Sequence, residues 1–458
     1  MIYGLLRALS RIALRWYYRD IQILDAERIP DSGPAILAAN HNNALVDALV
    51  IGSALRRKVR LTAKATLLDH PLTRWVVAAV GIVPLRRVSD ERTKLAETSS
   101  HSPDESRNAD AFSLIIDALA DGELVLIFPE GKSHSEPALA PLKTGCARIA
   151  LQARDDRGVT GLRVIPIGLT FERKSEPRSC VLAQVGEGIA IDDIQGSDPT
   201  AVQALTARID AALRDVTLNF ASPQVAQRLN AMSSLLAGAF NDVRPLHAPH
   251  APLADSISIA RRLEEIRQHL PAATPEQVAD VDAFVSRVDR FQRRMESLEI
   301  PVNDVTMSRS LTAGAWFAIR ELLIGVVVLP LAMWGRVNHW LPITLARRLA
   351  AMRSKDDDDP AMHTLVSGLV FVLAFYTLIA LAVGVTTGCW WAAAYLVSLP
   401  PTASLDFWYS DRLKAARQRA RAYRTLRHDP LLHDELLDDV ASLRRDAQRL
   451  NASVASPR

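Results

Sequence analysis

Short apolar runs alternate with helical stretches between residues 33 and 191. Continuous apolar runs of this length are typical of strands buried on both faces of a sheet, and the stretches between them have the length and pattern of helices. The alternation predicts an α/β domain, with helices packed on a sheet. The predicted strands are residues 34–39, 59–63, 82–85, 123–128 and 164–169, and the predicted helices are residues 44–55, 109–120 and 144–153.

The pattern becomes helical after this domain. Asp198 followed by Pro199 is a typical helix start, because the carboxylate caps the free N–H groups and proline suits the first turn. From there we predict helices to about residue 299, interrupted by a linker rich in Pro and His at residues 244–252.

The last third of the chain contains strongly apolar segments. Residues 360–405 contain no Asp, Glu, Lys or Arg. This stretch has room for two spans of about 20 residues and a turn near residues 385–388, so we predict a transmembrane hairpin. Basic residues flank it on both sides, which places both ends in the cytoplasm. Residues 322–335 include Pro330 and are short for a span unless residues 313–319 continue it past Arg320 and Glu321, so a re-entrant or interfacial helix is an equal alternative. If the catalytic domain and both basic flanks share one side, this segment must dip back or form a hairpin with residues 337–345.

The first twenty residues have the pattern of a basic amphipathic helix. Leu5, Leu9, Ile12 and Trp16 lie opposite a stripe of arginines that repeats every fourth residue. Such a helix can lie on an anionic bilayer, or it can be an ordinary surface helix. The stripe consists of Arg7, Arg11, Arg15 and Arg19.

Composition limits the classes of function. The 458 residues are 49% hydrophobic and 23% charged, which is too many charges for membrane helices alone. The net charge is +3, so we expect no nucleic-acid partner. Three scattered cysteines have no Cys/His ligand spacing, so we expect no disulfide framework, metal site or cofactor.

A histidine and an aspartate follow the first predicted strand, in the sequence Asn-His-Asn-Asn-Ala-Leu-Val-Asp at residues 40–47. Polar residues at strand ends occupy the usual place of an α/β active site. His41 is a candidate general base, and Asp47 is a candidate to orient it. The alternative is a turn whose side chains only cap the next helix.

Two other strand ends carry polar candidates. Phe-Pro-Glu-Gly-Lys-Ser at residues 128–133 lacks the first glycine of a phosphate-binding P-loop, so that interpretation fails. Another predicted strand ends at Arg86, which is a possible phosphate clamp or simply surface charge, and Lys64 ends a neighbouring strand.

The order of these motifs resembles the glycerolipid acyltransferase superfamily, over about residues 20–215. Four blocks carry the resemblance: residues 40–47, Gly81 to Arg86, residues 128–131, and Val-Ile-Pro-Ile at residues 164–167. The sequences around residues 40–47, 128–134 and 141–145 are most similar to the glycerol-3-phosphate/dihydroxyacetone-phosphate acyltransferase branch. Two features differ from the commonest pattern of the superfamily. Five residues, not four, separate His41 from Asp47, and Lys132 stands where Thr-Arg usually begins.

The resemblance implies a membrane-bound acyltransferase with an acyltransferase-type mixed sheet flanked by helices. It would transfer a fatty acyl group from acyl-CoA or acyl carrier protein to glycerol-3-phosphate or dihydroxyacetone phosphate. His41 and Asp47 would be catalytic. Arg86, Gly131 and Lys132, with Lys64 nearby, would hold the acceptor phosphate, and Glu130 would bind its glycerol hydroxyl. Lysophosphatidic acid is the alternative acceptor, and a non-catalytic membrane scaffold is the alternative function.

These expectations give a domain organisation. We predict the catalytic domain on the cytoplasmic face of the inner membrane, in contact with anionic lipid. The predicted segments are a basic interfacial helix at 1–20, the acyltransferase domain at 21–220, a helical region at 221–310, a membrane-embedded or re-entrant segment at 311–345, a transmembrane hairpin at 360–405 and a basic cytoplasmic tail at 406–458.

Overall fold

The chain, represented by a computed structural model, divides into two compact units. One contains Met1–Asn219 and Ile343–Leu373, and the other contains Phe220–Pro342 and Ala374–Arg458. The predicted linker at residues 244–252 and Arg86 lie outside the described residues. The structure describes residues 2–64, 74, 81–85, 109–240, 253–353 and 360–455.

The first unit is built on an eight-stranded mixed sheet in the order β1-β7-β6-β2-β5-β3-β4, with β8 paired to β6. The central strands β6, β2, β5, β3 and β4 are parallel, while β7 is antiparallel to β6 and parallel to β1. The strands are β1 (Asp20–Leu24), β2 (Ala35–Ala39), β3 (Val59–Lys64), β4 (Val83–Leu85), β5 (Leu124–Ile127), β6 (Arg163–Phe171), β7 (Cys180–Val185) and β8 (Ile189–Ala190).

Helices cover both faces of this sheet. Alternate residues of β2 enter separate cores: Ile36 packs with the helices of one face, and Leu37 packs with those of the other. Burial on both faces explains why the strands read as continuous apolar runs. The predicted α/β class and its five strands are therefore confirmed. The helices on the sheet are α1 (Ile2–Tyr17), α2 (Ala44–Ala54), α3 (Ala109–Ala120), α4 (Gly145–Arg157) and α5 (Pro199–Val216).

The arginine stripe of α1 is partly engaged inside the first unit. Arg11 donates from Nε to the carbonyl oxygen of Ser53 at 2.7 Å, and Arg7 donates to the carbonyl oxygen of Arg56 at 3.1 Å. Both acceptors lie at the C-terminal end of α2, where a cation is favourable. Leu5 remains exposed on the opposite side. The contact of this helix with anionic lipid stays a prediction.

The helical region predicted after Asp198 is confirmed. The Asp198 carboxylate accepts a hydrogen bond from the Ala201 N–H at 2.8 Å and caps α5 as expected. In the second unit, α6, α8 and α12 bury a shared apolar core that includes Phe284, Phe291 and Leu436. The helices of this region are α6 (Pro223–Phe240), α7 (Leu253–His269), α8 (Pro275–Leu298) and, at the C-terminal end, α12 (Pro430–Ala455).

The segment predicted to re-enter or to form a hairpin is one continuous helix, α9 (Leu311–Arg353). The hairpin within residues 322–345 is therefore wrong, and the choice between a spanning and a re-entrant helix stays a prediction. Pro330 and Pro342 lie inside the helix. An internal proline removes a single backbone hydrogen bond, which an apolar helix can tolerate, so it did not have to mark a turn. The 43 residues of α9 extend over about 65 Å.

The predicted turn near residues 385–388 is present. α10 (Pro360–Thr387) and α11 (Cys389–His428) meet at Gly388, whose φ of 103° suits glycine. Two helical segments, Leu311–Met352 and Ala361–Thr387, are long and apolar enough to cross a membrane. Trp390 and Trp391, at the start of α11, are exposed. These features are compatible with membrane association.

Candidate active site

Three polar segments meet at the carboxyl edge of the parallel strands. β2 leads into Asn40 and His41, β5 leads into residues 128–134, and β6 leads into the loop that contains Lys174. The neighbouring positions of β2, β5 and β6 in the sheet bring these segments together. This edge is where α/β sheets hold their ligands.

His41 and Asp47 form a hydrogen-bonded pair. His41 Nδ1 lies 2.9 Å from Asp47 Oδ2, and the Asn43 N–H donates to the same oxygen at 2.8 Å. A carboxylate accepts the imidazole proton at Nδ1, so the neutral ring keeps its lone pair at Nε2. Within the described part of the chain, Nε2 has no hydrogen-bond partner, and 9% of the side chain remains exposed. The arrangement is that of a histidine prepared to accept a proton.

The imidazole plane is fixed by an aromatic ring. Phe128 stacks on His41 with ring centroids 4.0 Å apart and planes 15° apart. The hydrogen bond from Nδ1 and this stacking together determine the direction in which Nε2 points. Sequence reasoning had assigned no role to the phenylalanine of the Phe-Pro-Glu-Gly motif beyond its place in that motif.

Two asparagines tie the turn after β2 to β6 and to the residue that follows α1. Asn40 pairs with both backbone groups of Leu169: it donates from Nδ2 to the carbonyl oxygen at 3.0 Å and accepts from the N–H at 2.6 Å. Asn43 donates from Nδ2 to the hydroxyl of Tyr18 at 3.2 Å. Burial raises the pKa of the Tyr18 phenol, so this hydroxyl stays protonated. Tyr18 was missed because nothing in the sequence near it signals a site.

Asp47 is fully buried, with 0% of its side chain exposed. Burial raises the pKa of its carboxyl group, while the hydrogen bond from His41 acts in the opposite direction. Its Oδ1 atom has no hydrogen-bond partner among the described residues. A buried carboxylate that is only partly satisfied gains most from a positive charge that appears beside it.

A second histidine and carboxylate lie beside the first pair. Glu130 Oε1 accepts the backbone N–H of His41 at 2.7 Å, and Oε2 accepts the N–H of Ala140 at 2.8 Å. Glu130 Oε2 also bonds to His134 Nε2. Because His134 Nδ1 accepts the N–H of Glu136 at 3.2 Å, the proton of this ring belongs on Nε2. The carboxylate of Glu130 is therefore used by protein donors, and its side chain is 0% exposed.

The loop after β5 holds the turn after β2 at two further points. The His134 N–H donates to the carbonyl oxygen of His41 at 3.1 Å, and the Ser133 hydroxyl accepts the N–H of Ala44 at 3.0 Å. Ala44 has a φ of 45°, in the left-handed region that costs an L-residue roughly 1–2 kcal/mol. This residue lies in the segment between His41 and Asp47.

The predicted phosphate-binding residues are only partly brought together. Gly131 forms the turn after Glu130 with a φ of 75°, and Lys132 is exposed beside it. Lys64 is the last residue of β3. Arg86 follows β4 in the sequence and lies outside the described residues.

Lys174 is a cation at the site that sequence reasoning missed. Its Nζ donates to Ser135 Oγ at 2.7 Å, and its carbonyl oxygen accepts from Asn43 Nδ2 at 3.4 Å. Its position after an apolar strand was the available signal. Among the described residues, no group of three or more His, Cys, Asp or Glu side chains is arranged to hold a metal ion.

The region that contains these residues matches a known protein family. The acyltransferase family matches residues 20–170, which include both histidine–carboxylate pairs. The match ends at the strand β6 that anchors Asn40.

Two curated relatives share parts of this region. The chain is 34% identical to glycerol-3-phosphate O-acyltransferase 2 of Saccharomyces cerevisiae over 117 residues, 24% of this chain and 16% of that protein. It is 28% identical to the chloroplastic 1-acyl-sn-glycerol-3-phosphate acyltransferase BAT2 of Brassica napus over 163 residues, 35% of this chain and 40% of that protein. The alignments therefore span less than half of each relative.

A solved structure was also matched. The 1-acyl-sn-glycerophosphate acyltransferase PlsC of Thermotoga maritima aligns with 46% of this chain and 78% of its own, at 19% identity and a TM-score of 0.33. A score this low supports no conclusion about the present chain.

Proposed function

Residues 20–170 of this chain match the acyltransferase family, and from this premise we propose that the protein is a membrane-associated O-acyltransferase of glycerolipid synthesis. The observation that carries the proposal is the His41–Asp47 pair, with Nδ1 bound to the carboxylate and Nε2 left to accept a proton. The proposed donor is a fatty acyl thioester, on coenzyme A or acyl carrier protein. The proposed acceptor is glycerol-3-phosphate or dihydroxyacetone phosphate.

In the proposed reaction, His41 Nε2 takes the proton of the acceptor hydroxyl as its oxygen attacks the thioester carbonyl carbon. Asp47 stabilises the imidazolium that forms. The tetrahedral intermediate then expels the thiolate, the C–S bond breaks, and the imidazolium returns its proton to sulfur. The new C–O ester bond completes the transfer without a covalent enzyme intermediate. A positioned base of this kind contributes about 10²–10⁴-fold in rate.

The acceptor phosphate is proposed to bind cations at the same edge of the sheet. Arg86 directly follows β4, which is parallel to β3, and Lys132 and Gly131 follow β5. Guanidinium and ammonium groups both bind phosphate, the guanidinium with better defined geometry. The predicted role of Glu130 in binding the acceptor hydroxyl remains a prediction. Its three protein donors support a further role, in which Glu130 and His134 position His41.

The proposed location is the cytoplasmic side of a membrane. Ala361 and Leu365 at the start of α10 pack in the same core as Val46 of α2, so α10 begins beside the catalytic domain. Gly388 follows the opposite end of α10 from these two residues. The exposed Cys389 offers a probe, since Cys146 and Cys180 are buried.

Labelling intact cells with an impermeant thiol reagent tests this orientation. We expect Cys389 to react from outside the cell. In a Cys389→Ser background, Ser135→Cys should react only after the cells are opened. Labelling of Ser135→Cys in intact cells would contradict a cytoplasmic catalytic domain.

Acyl transfer by the detergent-purified chain tests the activity. Wild-type protein should acylate glycerol-3-phosphate or dihydroxyacetone phosphate from a long-chain acyl thioester, and His41→Ala should lose at least about 10²-fold in kcat. His269→Ala is the matched control, because His269 is an exposed residue of α7 that hydrogen-bonds only within its own helix in the described contacts. It should retain wild-type activity with an unchanged circular dichroism spectrum.

Two alternatives are decided by the same assay. Transfer to lysophosphatidic acid alone would assign the activity named for the Brassica napus relative. Wild-type protein that transfers no acyl group to any of the three acceptors, from either thioester, would support a non-catalytic membrane scaffold.

A further inference from the structure

A basic cavity lies in the second unit, and none of the residues proposed above for acyl transfer lines it. It has a volume of about 430 Å³ and is formed where the end of α11 meets the start of α12 and the residues before α9. Its lining consists of Arg309, Arg424, Arg427, His428 and Pro430.

Two of its guanidinium groups are held in place by backbone oxygens. Arg309 donates from NH1 to the carbonyl oxygen of Pro430 at 3.1 Å, and Arg427 donates from NH1 to the carbonyl oxygen of Arg309 at 2.8 Å. A carbonyl group orients a guanidinium without neutralising its charge. Each guanidinium has five N–H donors, so most of them are left for a ligand.

The cavity keeps an excess of positive charge. Arg309 also contacts Asp434, with NH2 3.1 Å from Oδ1. That carboxylate offsets one charge of the three that Arg309, Arg424 and Arg427 carry at any physiological pH. Fixed guanidinium groups with spare donors bind the oxygens of an anionic phosphate group better than they bind a neutral ligand.

Exposed apolar surface begins next to the cavity. Two residues after Arg309, Leu311 starts the apolar helix α9 with 65% of its surface exposed, and Trp316 is 64% exposed. The hydroxyl of Tyr423 on α11 donates to the carbonyl oxygen of Ser310 at 3.0 Å and joins the two elements at this level. Tryptophan and tyrosine beside a basic cluster are typical of the boundary between headgroups and acyl chains.

We propose that this cavity binds the phosphate of an anionic glycerophospholipid, with its acyl chains along the exposed start of α9. A basic flank that only orients membrane helices needs charge but no fixed geometry. Here the guanidinium groups are held by hydrogen bonds around a cavity, and an apolar surface adjoins it. The inference is independent of the acyl-transfer proposal, because it uses none of the same residues.

Native mass spectrometry of the full chain in non-ionic detergent tests the site. The probe is dioctanoyl phosphatidylglycerol, which the proposed reaction neither consumes nor produces, and dioctanoyl phosphatidylcholine is the zwitterionic lipid with the same chains. Wild-type protein should bind the anionic lipid at least about tenfold more tightly. Arg309→Gln/Arg424→Gln should reduce this affinity by about tenfold or more, and Arg424→Gln alone by a smaller factor.

Arg417→Gln is the matched control. Arg417 is an exposed arginine of α11, the helix that also carries Arg424. It does not line the cavity, and its replacement also removes one positive charge. It should change the affinity by less than about twofold. If Arg309→Gln/Arg424→Gln fails to fold, judged by circular dichroism, the single variant Arg424→Gln serves, because Arg424 is exposed.

Three results would overturn the proposal. Equal binding of the two lipids would exclude recognition of the anionic headgroup. An unchanged affinity in the arginine variants, or one that falls equally in Arg417→Gln, would exclude this cavity. Inorganic phosphate that binds as tightly as the anionic lipid, and displaces it, would assign the cavity to free phosphate and not to a lipid.

Discussion

The turn after β2 and the loop after β5 each contain a histidine bound to a buried carboxylate, and the two pairs differ in which ring nitrogen is left open. His41 gives Nδ1 to Asp47, and its Nε2 has no described partner. His134 gives Nε2 to Glu130, and its Nδ1 accepts a backbone N–H. Similar residues are therefore prepared for different tasks, since only the first ring has a nitrogen that can accept a proton from a substrate.

The two carboxylates also differ in how fully protein donors satisfy them. Asp47 leaves Oδ1 without a partner among the described residues, whereas Glu130 receives three protein donors. An unsatisfied buried carboxylate responds strongly to a charge that appears beside it, and a saturated one holds its neighbours still. The comparison suggests one pair for chemistry and one for position, which the following substitutions separate.

The largest effect is expected for Asp47→Asn. The amide can still accept from Nδ1 but carries no charge to stabilise the imidazolium, so kcat should fall by about 10²–10⁴-fold. KM for both substrates should change little, because Asp47 is buried and touches neither in the proposed reaction. Steady-state kinetics with each substrate varied in turn would check this. A loss confined to KM would contradict the assignment of Asp47 to the transition state.

The next effect is expected for Glu130→Gln. Its amide oxygen can accept from the His41 N–H, but its NH₂, in the place of Oε2, would face both the Ala140 N–H and His134 Nε2. A mismatched buried donor costs about 1–3 kcal/mol, so the free energy of unfolding should fall by that amount and activity should fall with it. Thermal unfolding in detergent and kcat on the same preparation measure both. Wild-type stability would show that these hydrogen bonds contribute little.

A smaller effect is expected for His134→Ala. Glu130 keeps its bonds to His41 and Ala140, and the backbone bond from residue 134 to His41 remains. We expect kcat to fall by about tenfold, which corresponds to roughly 1.4 kcal/mol, with KM unchanged. His134→Gln should recover part of the loss, because its amide can donate to Glu130. A loss as large as that of Asp47→Asn would place His134 in the chemistry and break the comparison.

The smallest effect is expected for Ala44→Gly. Glycine accepts a φ of 45° without the steric cost paid by alanine, so the turn should gain up to about 1 kcal/mol. Activity should remain within about twofold of wild type. Thermal unfolding of this variant beside Ala54→Gly, at the other end of α2 where no positive φ is found, would check the sign. Destabilisation of both variants would show that the turn is not strained.

The sequence predicted the central strands because their burial on both faces leaves an unmistakable apolar run. It did not predict β1 and β7, at one side of the sheet: Asp20 and Gln22 make β1 polar, and β7 is antiparallel to its neighbour β6. Strand direction is set by pairing with a neighbouring strand, so a purely local pattern could not show that the sheet is mixed. The expectation of a mixed sheet came from the resemblance to the glycerolipid acyltransferase superfamily.

The site was predictable in its chemistry and less so in its geometry. His41 and Asp47 follow a strand in one segment, so their proximity could be expected. Glu130 and His134 hold His41 by hydrogen bonds between segments at least 89 residues apart. Residue spacing alone does not reveal such contacts. The full length of α9 was not predicted because the charge-free run of residues 322–335 is short and contains Pro330, although the effect of a proline inside an apolar helix is local.

His41 is held at both its N–H and its carbonyl oxygen by the loop after β5, and its ring rests on Phe128 of that same loop. The position of the proposed base is therefore set by β5 as much as by β2, the strand that precedes it. An engineer who exchanges residues 128–134 to admit a larger acceptor would also move the proton acceptor. Redesign of substrate choice in this protein will succeed only if the loop and the turn are exchanged together.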